Sequence, residues 1–182
     1  VSDSFHVEGA DVVFNSYVFD VERRTIRYGK ETFERDVAVH PGAVAVLVIS
    51  ERGDIGFISQ YRATFDAVLM EIPAGTQDVP GEAPLDTAKR ELLEEMGYEA
   101  KEWKLLGRFM NSPGWSSQVM TIYEARDLIK SERHPAGPEE RSSSVSWLAP
   151  EKLRETLRSA SAIDSTTAIA LHRVFGTFLD ES

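Results

Sequence analysis

The chain has 182 residues, no cysteine, a formal net charge of −10 and a pI near 4.9. A hydrophobic share of 42% and a charged share of 27% suit one globular domain with a sizeable core and room for a short appendage. The charge speaks against a nucleic-acid backbone as partner, and the missing thiols exclude disulfides, zinc–thiolate centres and cysteine nucleophiles.

Lack of cysteine also fits a reducing compartment, so a cytoplasmic location is expected. The opening stretch VSDSFHVEGADVVF has neither a basic start nor an apolar core, so no secretory signal is read there. The longest apolar run, residues 42–49, is too short to span a bilayer, and no membrane partner is expected. Residues 1–15 read as loosely structured. Strands are predicted at 16–21 and 25–28, a turn at 28–30, and a third extended run at 32–39. Residues 1–40 thus form a small antiparallel β unit ahead of a main domain at 41–182. After the break at His40-Pro41-Gly42, residues 43–50 are almost continuously apolar, as in a strand buried on both faces. A turn at 51–54 leads to strands at 55–61 and 68–73. Residues 85–96 read as a helix, with Pro84 suited to its first position and Gly97 to the left-handed residue past its end. Two further strands are predicted at 103–110 and 118–125, then a polar loop at 127–141 and a short strand at 145–148. Helices at 150–157 and 162–179 close the chain, the second with Ile163, Ala168, Leu171, Val174, Phe175 and Phe178 in a broad apolar stripe. This order predicts an α/β fold, a mixed sheet between helices in an α/β/α sandwich.

The helix at 85–96 carries the strongest chemical signal. Leu85, Ala88, Leu92 and Met96 form one apolar stripe, with Leu93 at its margin. Glu91, Glu94 and Glu95 share another face. Crowding them there costs about 0.2–0.5 kcal/mol per like-charged pair. The nearby helix C-terminus disfavours anions as well. A hard divalent cation with oxygen ligands would reverse both effects. The alternative is a solvated acidic face with Arg90 paired to Glu94.

The flanks favour the cation. Arg90-Glu91-Leu92-Leu93-Glu94-Glu95-Met96-Gly97-Tyr98 follows Glu82 after seven intervening residues, and Gly75 lies upstream. This stretch resembles the Nudix box: glycine, five residues, glutamate, seven residues, then R-E-U-x-E-E-x-G-U, where U is bulky and apolar. One departure is visible: six residues rather than five separate Gly75 from Glu82, the extra one in the turn at 78–81. Glu71-Ile72-Pro73-Ala74-Gly75, Gln60-Tyr61-Arg62 and Asn111-Ser112-Pro113-Gly114-Trp115-Ser116 resemble segments of the ADP-ribose pyrophosphatase branch, with Pro113 lying 15 residues beyond Tyr98.

The resemblance implies a Nudix-type sandwich and metal-dependent hydrolysis of a nucleoside diphosphate linked to a second group. Its best substrate is ADP-ribose, giving AMP and ribose 5-phosphate. GDP-mannose or another nucleotide sugar is the alternative, and a non-catalytic nucleotide sensor the alternative of another class. Mg²⁺, or Mn²⁺, would be held by Glu91, Glu94, Glu95 and the Ala74 carbonyl. Glu94 and Glu95 also count among the catalytic residues. Arg62 would meet phosphate, with Glu71, Pro113 and Gly114 as further substrate contacts. A glutamate on the 127–141 loop would guide the attacking water, and both Glu139 and Glu140 are candidates. The N-terminal unit would pack across a homodimer.

Overall fold

The computed structural model of the protein describes residues 4–159 and 162–176. Its elements are β1 (Phe5–Asn15), β2 (Asp20–Tyr28), β3 (Glu31–Val39), β4 (Ala43–Ile49), β5 (Ile55–Arg62), β6 (Ala67–Glu71), β7 (Ala74–Thr76), α1 (Pro84–Met96), β8 (Tyr98–Met110), β9 (Val119–Lys130), α2 (Pro138–Ser142), β10 (Ser144–Leu148), α3 (Pro150–Ser159) and α4 (Ser165–Phe175). The chain divides into two compact units, residues 1–42 with 109–119 and residues 43–108 with 120–182.

In the first unit β1, β2 and β3 form an antiparallel sheet in that order. Over residues 5–15 the expectation of a loose segment is overturned, since β1 pairs with β2 along its length. Its register shifts between Val7 and Gly9 and again between Val12 and Phe14. Each bulge breaks the two-residue alternation by which a strand is recognised in sequence. The separate strands read at 16–21 and 25–28 are replaced by one strand, β2, with residues 16–19 in the turn before it. Its charged centre is satisfied across the sheet, where Arg23 Nε donates to Asp36 at 2.8 Å. Ser112 to Ser117 joins β3: Ala38 N donates to the Trp115 carbonyl at 2.8 Å and Ser117 N to the Ala38 carbonyl at 2.9 Å.

The second unit is built on a mixed sheet of order β10-β5-β4-β9-β8, with β6 added to β5 and β7 to β4. The β4–β9 pair is parallel and the other registered pairs are antiparallel. Every residue of β4 is buried, as its unbroken apolar run requires. Val44, Val46 and Val48 pack with Ala88, Leu92 and Met96 of α1. By strand alternation Ala45, Leu47 and Ile49 face the other way, and α4 is a second helix in contact with β4. Filling both faces of a central strand with branched side chains is what fixes the layers.

Several boundaries move. β8 begins at Tyr98 rather than 103, and β9 runs on to Lys130. The loop read at 127–141 therefore contains the end of β9 and the short helix α2. β7 was not anticipated, because three residues carry no period. α4 starts later than read, where Asp164 caps it by accepting from Thr167 N at 2.8 Å. The stretch 177–179 of that predicted helix, including Phe178, lies outside the described residues.

Candidate active site

α1 starts with Pro84 at its first turn and ends at Gly97, whose φ of 73° is left-handed. Those punctuation marks set its ends, and its apolar stripe sets which face turns inward. Ala88, Leu92 and Met96 enter the core; Leu85 and Leu93 are only half-buried. Glu91 and Glu95, one turn apart, are buried as well, at 7% and 3% exposure. Glu94 is half-buried at the rim.

β7 supplies the opposing wall. Its pairing with β4 sets Gly75 opposite Val44 and Ala74 opposite Ala45. The Glu91 carboxylate occupies the space where a β-carbon on residue 75 would stand. Only glycine permits that approach. Ala74 N donates to Glu95 Oε2 at 2.9 Å, so the amide of Ala74, not its carbonyl, meets α1 here.

Arg90 organises the outer side. Its guanidinium donates to Glu91 Oε1 at 2.8 Å, Glu94 Oε2 at 3.1 Å and both Glu82 oxygens at 3.2–3.3 Å. Burial works against its charge, yet those three carboxylates hold it above its ordinary range. The Glu82 carboxyl is correspondingly lowered by its bond to Arg90. Burial pushes Glu91 up to about 7 against the pull of Arg90. Burial, with the Glu91 charge adding to it, pushes Glu95 up to about 8. Glu95 has no ion-pair partner among the described residues.

Arg62 and Glu71 sit on neighbouring strands of the hairpin β5–β6. Arg62 Nε donates to Glu71 at 3.0 Å and Nη2 at 2.5 Å. With its amide set to satisfy the hydrogen bonds, Gln60 Oε1 accepts from both Nη atoms at 2.8–3.0 Å. The guanidinium fork is thus oriented from two sides while 39% of its side chain stays exposed. Its charge and that of Glu95 act on each other.

α2 separates the two loop glutamates that sequence could not rank. The charge of Glu140 acts on both Glu91 and Glu95, whereas that of Glu139 acts on Tyr61. Glu140 Oε2 is held by Ala136 N at 2.7 Å. Pro113 and Gly114 belong to the first unit, at the tip of a turn closed by Trp115 N and Ser116 N on the Ser112 carbonyl at 3.1 and 2.9 Å.

The donor set fits a divalent cation in kind. Two buried carboxylates that resist ionisation side by side are sites where added positive charge is stabilising. Among the described residues no three acidic or imidazole side chains converge as ligands. Arg90 binds Glu91 and Glu94, and Ala74 N holds Glu95. Backbone oxygen and water would complete the shell, as is usual for Mg²⁺. Sequence reading gave no role to Arg133, which donates to the Glu140 and Ser143 carbonyls, to Gln60, which accepts from Arg62, or to Asp164, which caps α4.

The NUDIX domain profile matches residues 39–167. An ADP-ribose pyrophosphatase of Mycobacterium tuberculosis is 33% identical over 174 residues, covering 93% of this chain and 84% of that protein. An ADP-ribose pyrophosphatase of Bacillus subtilis is 35% identical over 159 residues, covering 87% and 83%. A solved structure, "Crystal structure of ADP compounds hydrolase", superposes with a TM-score of 0.81 at 22% identity, covering 94% of this chain and 92% of that one. At that identity the likeness concerns the fold.

Proposed function

Because the chain belongs to the Nudix hydrolase family, we propose that it cleaves the diphosphate of a nucleoside diphosphate sugar, with ADP-ribose as substrate and AMP and ribose 5-phosphate as products. The observation that carries this reading is the buried pair Glu91 and Glu95 against the backbone of Ala74 and Gly75. The two ADP-ribose pyrophosphatase relatives support the choice of sugar nucleotide.

Glu91, Glu94, Glu95 and the Ala74 carbonyl would hold Mg²⁺ or Mn²⁺. When bound, the cation neutralises the diphosphate and lowers the pKa of a water beside it. Arg90 binds and orients Glu91 and Glu94. Arg62, aimed by Glu71 and Gln60, presents a planar donor to phosphate oxygens. Pro113 and Gly114 would meet the substrate from the Ser112 turn. Glu140 takes or guides the water's proton, a role worth typically about 10²–10⁴ in rate. Glu140 is preferred to Glu139 because its charge acts on the α1 carboxylates. The working unit in this reading is a cytoplasmic homodimer.

Incubation with ADP-ribose and Mg²⁺, followed by chromatography, should yield AMP and ribose 5-phosphate. GDP-mannose in parallel tests the substrate. Tight binding of ADP-ribose without products would instead identify a sensor.

A further inference from the structure

We propose that Arg133 is a positioning residue for the hydrolytic step, fixing Glu140 relative to the carboxylates of α1. The inference rests on the reading of Glu140 given above. The chain leaves β9 at Lys130 and is caught at once by the end of α1, where Ser131 N donates to the Gly97 carbonyl at 2.8 Å. Gly97 is packed tightly there: a β-carbon on it would meet Arg133 Cβ, Arg133 N and the Ser131 carbonyl, each at 3.2 Å. The backbone at 131–133 is therefore registered against the same helix that bears Glu91 and Glu95.

From that anchor the Arg133 side chain crosses to α2. Its Nη2 donates to the Glu140 carbonyl at 2.9 Å and to Ser143 Oγ, and its Nη1 donates to the Ser143 carbonyl at 3.0 Å. Those acceptors are Glu140 itself and the end of α2, where a cation also suits the exposed carbonyls. A five-residue helix has little stability of its own, so its placement must come from such ties. Glu140 Oε2 is then oriented locally by Ala136 N, and Arg141 Nη1 closes back on the Ala136 carbonyl at 2.9 Å. Arg133 Nε is buried without a partner. The guanidinium thus keeps its place despite one unsatisfied donor, because its planar fork spans three acceptors that a single ammonium would not.

The test is a double-mutant cycle on ADP-ribose hydrolysis at saturating Mg²⁺, with Arg133→Met, Glu140→Gln and both together. Arg133→Met is expected to lower kcat about 10²-fold, as for a displaced catalytic group. KM should stay within about twofold, because ground-state binding is untouched. In the Glu140→Gln background the same change should cost almost nothing further. Arg133→Lys should recover part of the rate, and it carries the cycle if Arg133→Met does not give a cooperative thermal melt. Independent, additive losses, or a loss confined to KM, would overturn the positioning role. So would full activity of Arg133→Met beside an inactive Glu140→Gln, with the reading of Glu140 left standing. An active Glu140→Gln enzyme would remove Glu140 from the chemistry and Arg133's role with it.

Discussion

Glu95 is the most buried of the acidic side chains on α1, and its environment leads to two measurements. Glu95→Gln keeps the shape and the bond from Ala74 N but removes the charge. It should fold normally and lose at least about 10²-fold in turnover, the scale seen when even outer-shell metal contacts are lost. Near-full turnover at saturating Mg²⁺ would rule the ligand assignment out. The second measurement concerns pH. Glu91 and Glu95 stand at about 7 and about 8 in the fold against an ordinary 4.5. A carboxyl raised on folding supports the fold while protonated, and that support is lost as pH rises through the folded value. EDTA-treated protein should therefore melt at lower temperature at about pH 8.5 than at about pH 5.5. Added Mg²⁺ should recover more stability at the higher pH, where the carboxylates bind as anions. A melting temperature independent of pH in this range would contradict a buried acidic pair.

At the scale of the element, α1 is defined by its two glycine neighbours. Gly75 faces the Glu91 carboxylate so closely that Gly75→Ala must displace one or the other. Turnover should fall by about 10²-fold, as expected for a misplaced catalytic group. Mg²⁺ affinity, followed by calorimetry, should fall with it, and an unchanged affinity would show that Glu91 does not hold the cation. Gly97→Ala acts differently. Its left-handed backbone costs an alanine about 1–2 kcal/mol, and Arg133 and the Ser131 carbonyl crowd the added methyl. Urea denaturation should register at least that loss.

For the whole molecule, the open question is what covers β1. It is an edge strand in which all eleven residues are exposed, with Phe5 at 66% and Phe14 at 60%. An open edge bearing apolar side chains is a template for pairing with another chain. The opposite edge strand of that sheet, β3, is already engaged by Ser116 through Ala38. Sedimentation should accordingly return about twice the chain mass, with the dimer weakened by Val12→Lys with Phe14→Lys, since buried charge opposes association. A monomeric unaltered protein would exclude the homodimer. Among the described residues no helix is long and apolar enough to cross a membrane.

The helix α1, its ends and its acidic face were written in local spacing, because a helix repeats every few residues and its caps are single residue types. β4 was equally plain, since burial on both faces leaves an uninterrupted apolar run. The bulged β1 was hidden because two extra residues erase its alternation, and β7 because it is too short to have one. The family resemblance could nominate Glu139 and Glu140 together but could not rank them, for adjacent residues share every local signal. Only the folded chain adds the remaining ties: Arg133 holds α2 down, and Gln60 with Glu71 aims Arg62. Local periodicity belongs to neighbours along the chain, whereas electrostatic contact depends on distances that exist only after the sheet has brought remote segments together.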